Sequence, residues 1–274
     1  MVGVRGAMAL VAAAAVGCTV VATEPPREGP GPDAAFEGGG GSGSGGGFAM
    51  YDASACQPGS VATYQPGTYH SASPVGQGSC VAATSGADPI QGFYDACLGS
   101  GATTDACNDF RSQNATCVSC ILTPQSAPHY GPLIDYTTYV TANVAGCLEV
   151  APSAAGEPEA GALACAKSVQ ALAGCELQAC GANCPVHDGT SLSAYQSCAS
   201  TSEQSVCASW ATAAACADAA GDAGGLASAC LGSFQDFYDA VVPFFCGAPA
   251  PGPGVDGGAE AGIEASAAPD APGG

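Results

Sequence analysis

The sequence predicts a mainly α fold: a disulfide-stapled helical domain behind an irregular N-terminal segment with room for a hairpin, flanked by disordered tails. Three observations predict it. Of 17 cysteines, all but Cys18 fall between residues 56 and 246. From Asp88 onward apolar residues recur at helical rather than strand spacing. Both ends, 18–48 and 247–274, are Gly/Pro-rich stretches with almost nothing to bury.

The N-terminus sets the compartment. Residues 1–17 read as an export signal, with Arg5 as the positive region and Ala7 to Val16 as a short apolar core. The apolar run ends near Ala22, too short for the roughly 20 residues a bilayer span requires. Ala15-Val16-Gly17-Cys18 resembles a bacterial lipobox, which makes Cys18 a lipid-attachment residue, although Ala15 stands where a lipobox usually has Leu. The competing reading is cleavage after Ala22 and simple secretion. Cysteine parity does not separate the two, since both leave 16 cysteines in the folded part. Residues 18–48, with "GGGGSGSGGG" at their end, then form the anchor and a flexible tether.

Residues 49–87 are turn-rich, and Cys56 and Cys80 could staple one loop there. The helical domain, 88–246, opens on "DPIQ", with Asp88 as N-cap, Pro89 at the first helical position and Gln91 at the third. Short helices follow through "GFYDACLG", "TTDACNDFRSQNA" and "ATCVSCIL". "PLIDYTTYVTANVAGCLEV" is ambiguous between helix and strand because of its β-branched residues. "EPEAGALACAKSVQALAGCELQAC" is the clearest helix, with Cys165, Val169 and Leu172 on one face. "SLSAYQSCAS", "SEQSVCASWATAAACADAA" and "LASACLGSFQDFYDAVVPFFC" complete the set, and 247–274 is an acidic disordered tail.

An internal echo runs through this domain. Tyr94-x2-Cys97-x9-Cys107-x2-Phe110-x6-Cys117 resembles Tyr195-x2-Cys198-x8-Cys207-x2-Trp210-x5-Cys216. Helical spacing puts each ring beside its cysteine, which suggests a small core with rings packed over disulfides. "FYDA" recurs at 93–96 and 237–240, and "CLGS" at 97–100 and 230–233.

An even, dense cysteine set behind an export signal reads as a bridge framework. The candidates are Cys56 and Cys80, then Cys97, Cys107, Cys117 and Cys120, then Cys147, Cys165, Cys175, Cys180 and Cys184, and finally Cys198, Cys207, Cys216, Cys230 and Cys246. Because the apolar content is mostly alanine, which buries little area, the bridges must carry much of the stability.

Two constellations offer chemistry against that reading. "CVSC", Cys117 to Cys120, has redox spacing but lacks the strand–helix alternation of a thioredoxin-like fold. "CELQACGANCPVH" brings Cys175, Cys180, Cys184 and His187 close enough in sequence to coordinate zinc, at a spacing that matches no zinc signature. No metal site is assigned on either basis, no catalytic residue is identified, and no motif requires a cofactor.

With 24 acidic residues against four basic ones, the chain repels phosphate backbones, so nucleic-acid partners are excluded. Membrane contact must come from the lipid on Cys18. "CVSCILTP", "YGPLI", "NVAGC" and "CELQACGANCP" resemble stretches of uncharacterised Cys-rich exported lipoproteins of myxobacteria-like bacteria. That resemblance implies a location at the cell envelope, at the outer membrane, and carries no activity. The expectation is a tethered lipoprotein presenting a rigid binding or structural surface to an unknown protein or envelope partner. The alternative is an exported thiol-redox or metal-binding protein.

Overall fold

A computed structural model describes residues 21–22, 56–81, 88–155 and 161–248. The residues read as an export signal, Cys18 and the tail beyond residue 248 lie outside the described residues, as do most of those read as a tether.

The fold is mainly helical. Helix α1 (Pro89–Phe93) runs into a π-helical turn, Tyr94–Leu98, and α2 (Thr104–Gln113) and α3 (Ala115–Ile121) follow. The expected start of α1 is present: Asp88 accepts from the Ile90 N–H at 2.9 Å, with Pro89 at the first position. Gln91 does not close the box. It donates instead to Asp95 at 2.8 Å, one turn on.

The ambiguous stretch holds both structures. Strand β1 is Val21–Ala22 and β2 is Ser71–Ala72; then come β3 (Leu122–Pro124), β4 (His129–Tyr130), β5 (Leu133–Asp135) and β6 (Val140–Ala142). Helix α4 (Val144–Ala155) starts directly afterwards. One sheet has the order β1-β6-β5-β3, with β5 parallel to β3 and antiparallel to β6. The other pairs β2 in parallel with β4. Among the described residues the hairpin is β5–β6, and the one described strand of the 49–87 segment pairs outside that segment.

Helix α5 (Ala162–Cys180) is the axis of the remaining domain. Around it pack α4, α6 (Gly189–Glu203), α7 (Ala208–Ala214) and α8 (Cys216–Asp222). Helix α9 (Gly225–Cys230) leads to α10 (Phe234–Cys246). In α10, Phe237, Tyr238, Val241, Val242 and Phe245 are all fully buried, an i, i+1, i+4, i+5, i+8 stripe that supplies several of the core's large side chains. Both α6 and α10 begin with reciprocal caps, Asp188 with Ser191 and Ser233 with Asp236. The bonds from Ser191 and Ser233 hold these two carboxyls below the usual range.

All 16 cysteines between 56 and 246 are bridged, at Cα separations of 4.6 to 6.0 Å. Cys56 bonds Cys184 and Cys80 bonds Cys117, so the two do not staple a loop of their own. They sew the irregular segment onto the helices instead, where Gly59 N–H also donates to Ala179 and Gly76 N–H to Phe244. The other pairs are Cys97–Cys107, Cys120–Cys246, Cys147–Cys230 and Cys165–Cys216, with Cys175–Cys207 and Cys180–Cys198 joining α5 to the α6–α7 region.

The sequence echo does not extend to the bridges. Cys97 pairs with Cys107, whereas Cys198 and Cys207 pair with Cys180 and Cys175. Its rings meet other rings: Tyr94 packs on Tyr238, Phe110 on Phe93, Tyr195 on Tyr139 and Trp210 on Tyr64. The two "FYDA" copies do meet, through Tyr94 and Tyr238 at 5.0 Å.

Candidate functional site: a tyrosine-lined cleft

A cleft of about 550 Å3 opens between α5, the 64–70 segment and the β5–β6 hairpin. Alternating placement on the elements brings tyrosines to it from four directions.

The first wall is the irregular segment where it crosses α5. Tyr64 donates its hydroxyl to Ala171 at 2.7 Å and meets Trp210 edge-on at 5.6 Å. Gly174 makes that crossing possible, since a Cβ there would lie 2.5 Å from the Tyr64 hydroxyl. Tyr69 donates to Glu149 at 2.8 Å, and the same carboxylate oxygen accepts from Ala72 N–H at 2.7 Å. Burial first, then the Glu149 charge and bond, push the Tyr69 phenol well above its ordinary range. Lys167 Nζ lies 5.8 Å from the centre of the Tyr69 ring. His70 stacks its ring on Tyr130 at 4.4 Å, and its backbone N–H donates to Gln170 Oε1 at 2.9 Å.

The second wall is the β5–β6 turn. Tyr136 and Tyr139 stack in parallel, with centroids 4.9 Å apart and planes within 2°. The turn is closed by Tyr136 N–H on the Tyr139 carbonyl, and Thr137 N–H donates to Asp135 at 2.6 Å. Thr137 sits at φ 76°, the one described non-glycine residue with positive φ. A β-branched side chain is disfavoured in that left-handed region, so the turn holds its tyrosines at a cost in backbone strain. Tyr195, from α6, continues the wall at 6.1 Å from Tyr139. Burial raises all three phenols, Tyr139 to about 12. The same wall lines a second cavity of about 430 Å3, bordered by Pro185 and His187.

The floor carries a buried acid pair. Glu176 is only 5 % exposed, lines the cleft and is hydrogen-bonded to Glu203 near the end of α6. Desolvation dominates its shift, and the neighbouring Glu203 adds to it, so its carboxyl is held well above the usual range. Burial raises the Glu203 carboxyl as well, and a hydrogen bond between the two carboxyls requires a proton on one of them. Oxygen Oε1 of Glu203 is buried with no hydrogen-bond partner. The Cys175–Cys207 bridge adjoins this pair, one residue from Glu176 and four from Glu203.

The cysteine motifs fall elsewhere. Cys117 and Cys120 bond Cys80 and Cys246, so "CVSC" is two structural bridge halves and not a dithiol pair. Cys175, Cys180 and Cys184 each have a different partner, and His187 borders the second cavity. The sulfurs of Cys56, Cys184 and Cys198 do cluster within 4.8 Å of one another, but all three are oxidised and offer no thiolate to a metal. Sequence reasoning missed the acid pair, although a signal existed. The stripe Cys165, Val169, Leu172 extends by one helical step to Glu176, a charge on an apolar face.

No helix among the described residues is long and apolar enough to cross a membrane. No protein-family model, curated protein or solved structure matches the chain.

Proposed function

We propose that this chain is an exported binding protein, held at the cell envelope by a lipid on Cys18, whose bridged helical domain presents the tyrosine-lined cleft to a ligand. The cleft is the observation that carries the reading. It is concave and aromatic, with a few polar groups, as small-molecule sites are. The bridging of every cysteine between 56 and 246 supports an oxidising compartment. It also pre-organises the cleft, because Cys56–Cys184 and Cys175–Cys207 tie the 64–70 arm and α6 back to the α5 region.

The tether has a direct test. Cys18→Ser removes the thioether site, so the protein should move from the membrane fraction to the soluble exported fraction. Unchanged fractionation of that variant excludes lipid anchoring. The binding half is read independently by Trp210, the one tryptophan of the chain, whose edge contact with Tyr64 makes its fluorescence report on occupancy of the cleft.

A further inference from the structure

We propose that the cleft takes an organic cation, a substituted ammonium group seated among the Tyr136, Tyr139 and Tyr195 rings and against the Glu176 carboxyl. This deepens the binding reading above and rests on it. Three independent features lead to it.

The first is ring geometry. Tyr136 and Tyr139 are stacked on each other, Tyr195 is tilted 42° to Tyr139, and all three line the cleft with Glu176, so what they offer a ligand is outer ring faces and edges. Ring faces attract a cation within about 6 Å of the centroid, most strongly where water is excluded.

The second is the state of the polar groups. A site for a neutral polyol needs free donors and acceptors, and several of those in this cleft are already committed. The Tyr64 hydroxyl is taken by Ala171, that of Tyr69 by Glu149, that of Tyr130 by Gln125 and that of Tyr139 by Tyr195. Gln170 Oε1 holds His70 N–H, and Asn143 holds the Tyr130 and Gly131 carbonyls. What remains for recognition is ring surface, the Glu176 carboxyl and a few polar side chains of the lining, Lys167 and Asp218 among them.

The third is charge. The chain carries a formal −20 at neutral pH, which steers cations toward it. Glu176 lines the cleft, its hydrogen bond to Glu203 needs a proton on one of the two carboxyls, and Glu203 Oε1 is buried without a hydrogen-bond partner. The groups facing Glu176 are Glu203, Tyr136 and Tyr195, none of them cationic. Lys167 lies on the same helix, nine residues earlier, roughly 13 Å away at 1.5 Å per residue. A cation entering at Glu176 takes over the role of the shared proton, which leaves to solvent. The second carboxylate charge then balances the ligand.

The test uses the full chain in detergent, with choline as probe and its neutral carbon isostere, dimethylbutanol, as control. Trp210 fluorescence and calorimetry should give choline at least a roughly 10-fold tighter Kd, the scale of a desolvated cation–π contact. Titrations at neutral pH in two buffers of different ionisation enthalpy should show release of up to one proton per choline. Glu176→Gln should abolish that release and most of the preference, while keeping its amide bond to Glu203 and the native circular dichroism. Glu203→Gln should do the same from the other side of the pair. Equal binding of both probes, absence of choline binding at millimolar concentration, or preferential binding of a methyl glycoside would each overturn the proposal. The Cys18→Ser fractionation is unaffected by any of these outcomes, so a failure here is distinguishable from a failure of the tethered-protein reading.

Discussion

At Thr137 one residue carries the cost of holding two rings. Its φ of 76° is adopted readily by glycine and reluctantly by a β-branched residue. Thr137→Gly should therefore raise the free energy of unfolding by about 1 kcal/mol, the scale of a left-handed non-glycine penalty less glycine's added chain entropy. Denaturant unfolding checks this, and a loss of stability would show that the threonine side chain contributes packing that outweighs the strain. Asn143 works in the opposite sense. Its amide donates to the Tyr130 and Gly131 carbonyls at 3.3 and 2.9 Å, and its oxygen accepts from Gly146 N–H at 2.9 Å. Gly146 is fixed by the same contact, since a Cβ there would fall 2.2 Å from the amide nitrogen. Asn143→Ala leaves buried backbone groups unpaired, and roughly 2–3 kcal/mol of stability should be lost in the same assay. A loss under about 0.5 kcal/mol would mean that water replaces the side chain.

The helices from Asp88 onward were legible because caps and periodicity are local, and Asp88, Pro89 and the α5 stripe needed no tertiary information. The short strands were not. Residues 133–142 become a hairpin only because Tyr136 to Tyr139 turn back through Thr137, a conformation that no propensity assigns to threonine. The acid pair is an element-scale feature, since it exists only where α5 packs on α6. Its consequence is a pH dependence whose sign follows from linkage. Glu176 titrates near 4.5 in the unfolded chain and at about 8 in the fold, so between those values the folded state binds more protons than the unfolded one. As far as this pair is concerned, stability should be greatest at and below about pH 4.5, and should fall as pH rises to about 8, by up to ~1.4 kcal/mol per unit. Glu176→Gln should flatten that slope and be more stable than the parent at pH 8. A parent profile that rises from pH 5 to 8 would show that the pair is hydrated and ionises freely.

At the scale of the whole molecule, cysteine parity and export predicted a bridge framework, but no spacing rule could pair it. Cys56 and Cys80 are neighbours in sequence and in composition, yet each bonds across the fold, over separations of 128 and 37 residues. Cys97–Cys107 is the exception: it spans ten residues and lies between two adjacent short helical elements. Partners were set by which helices pack together, above all α4, α6 and α7 around α5, with α10 packed on α3 and α9. The composition of the core makes the bridges essential. Outside α10 the core has large side chains such as Phe93, Leu133, Leu148, Leu172 and Leu192, but alanines and the sulfurs fill much of the rest, with Cys147, Cys175, Cys180, Cys207 and Cys246 fully buried. A bridge is worth roughly 2–4 kcal/mol, and eight together exceed the 5–15 kcal/mol by which a domain is usually stable. Full reduction should therefore unfold the domain at room temperature, with loss of helical circular dichroism and exposure of 16 thiols to alkylation. Because the buried bridges resist attack until neighbouring structure opens, the thiols should become reactive together with the loss of ellipticity and not before it. A thermal melt unchanged by strong reductant would mean that α10 and the two small sheets hold the fold without the sulfurs, and that the bridges serve to keep the cleft in shape.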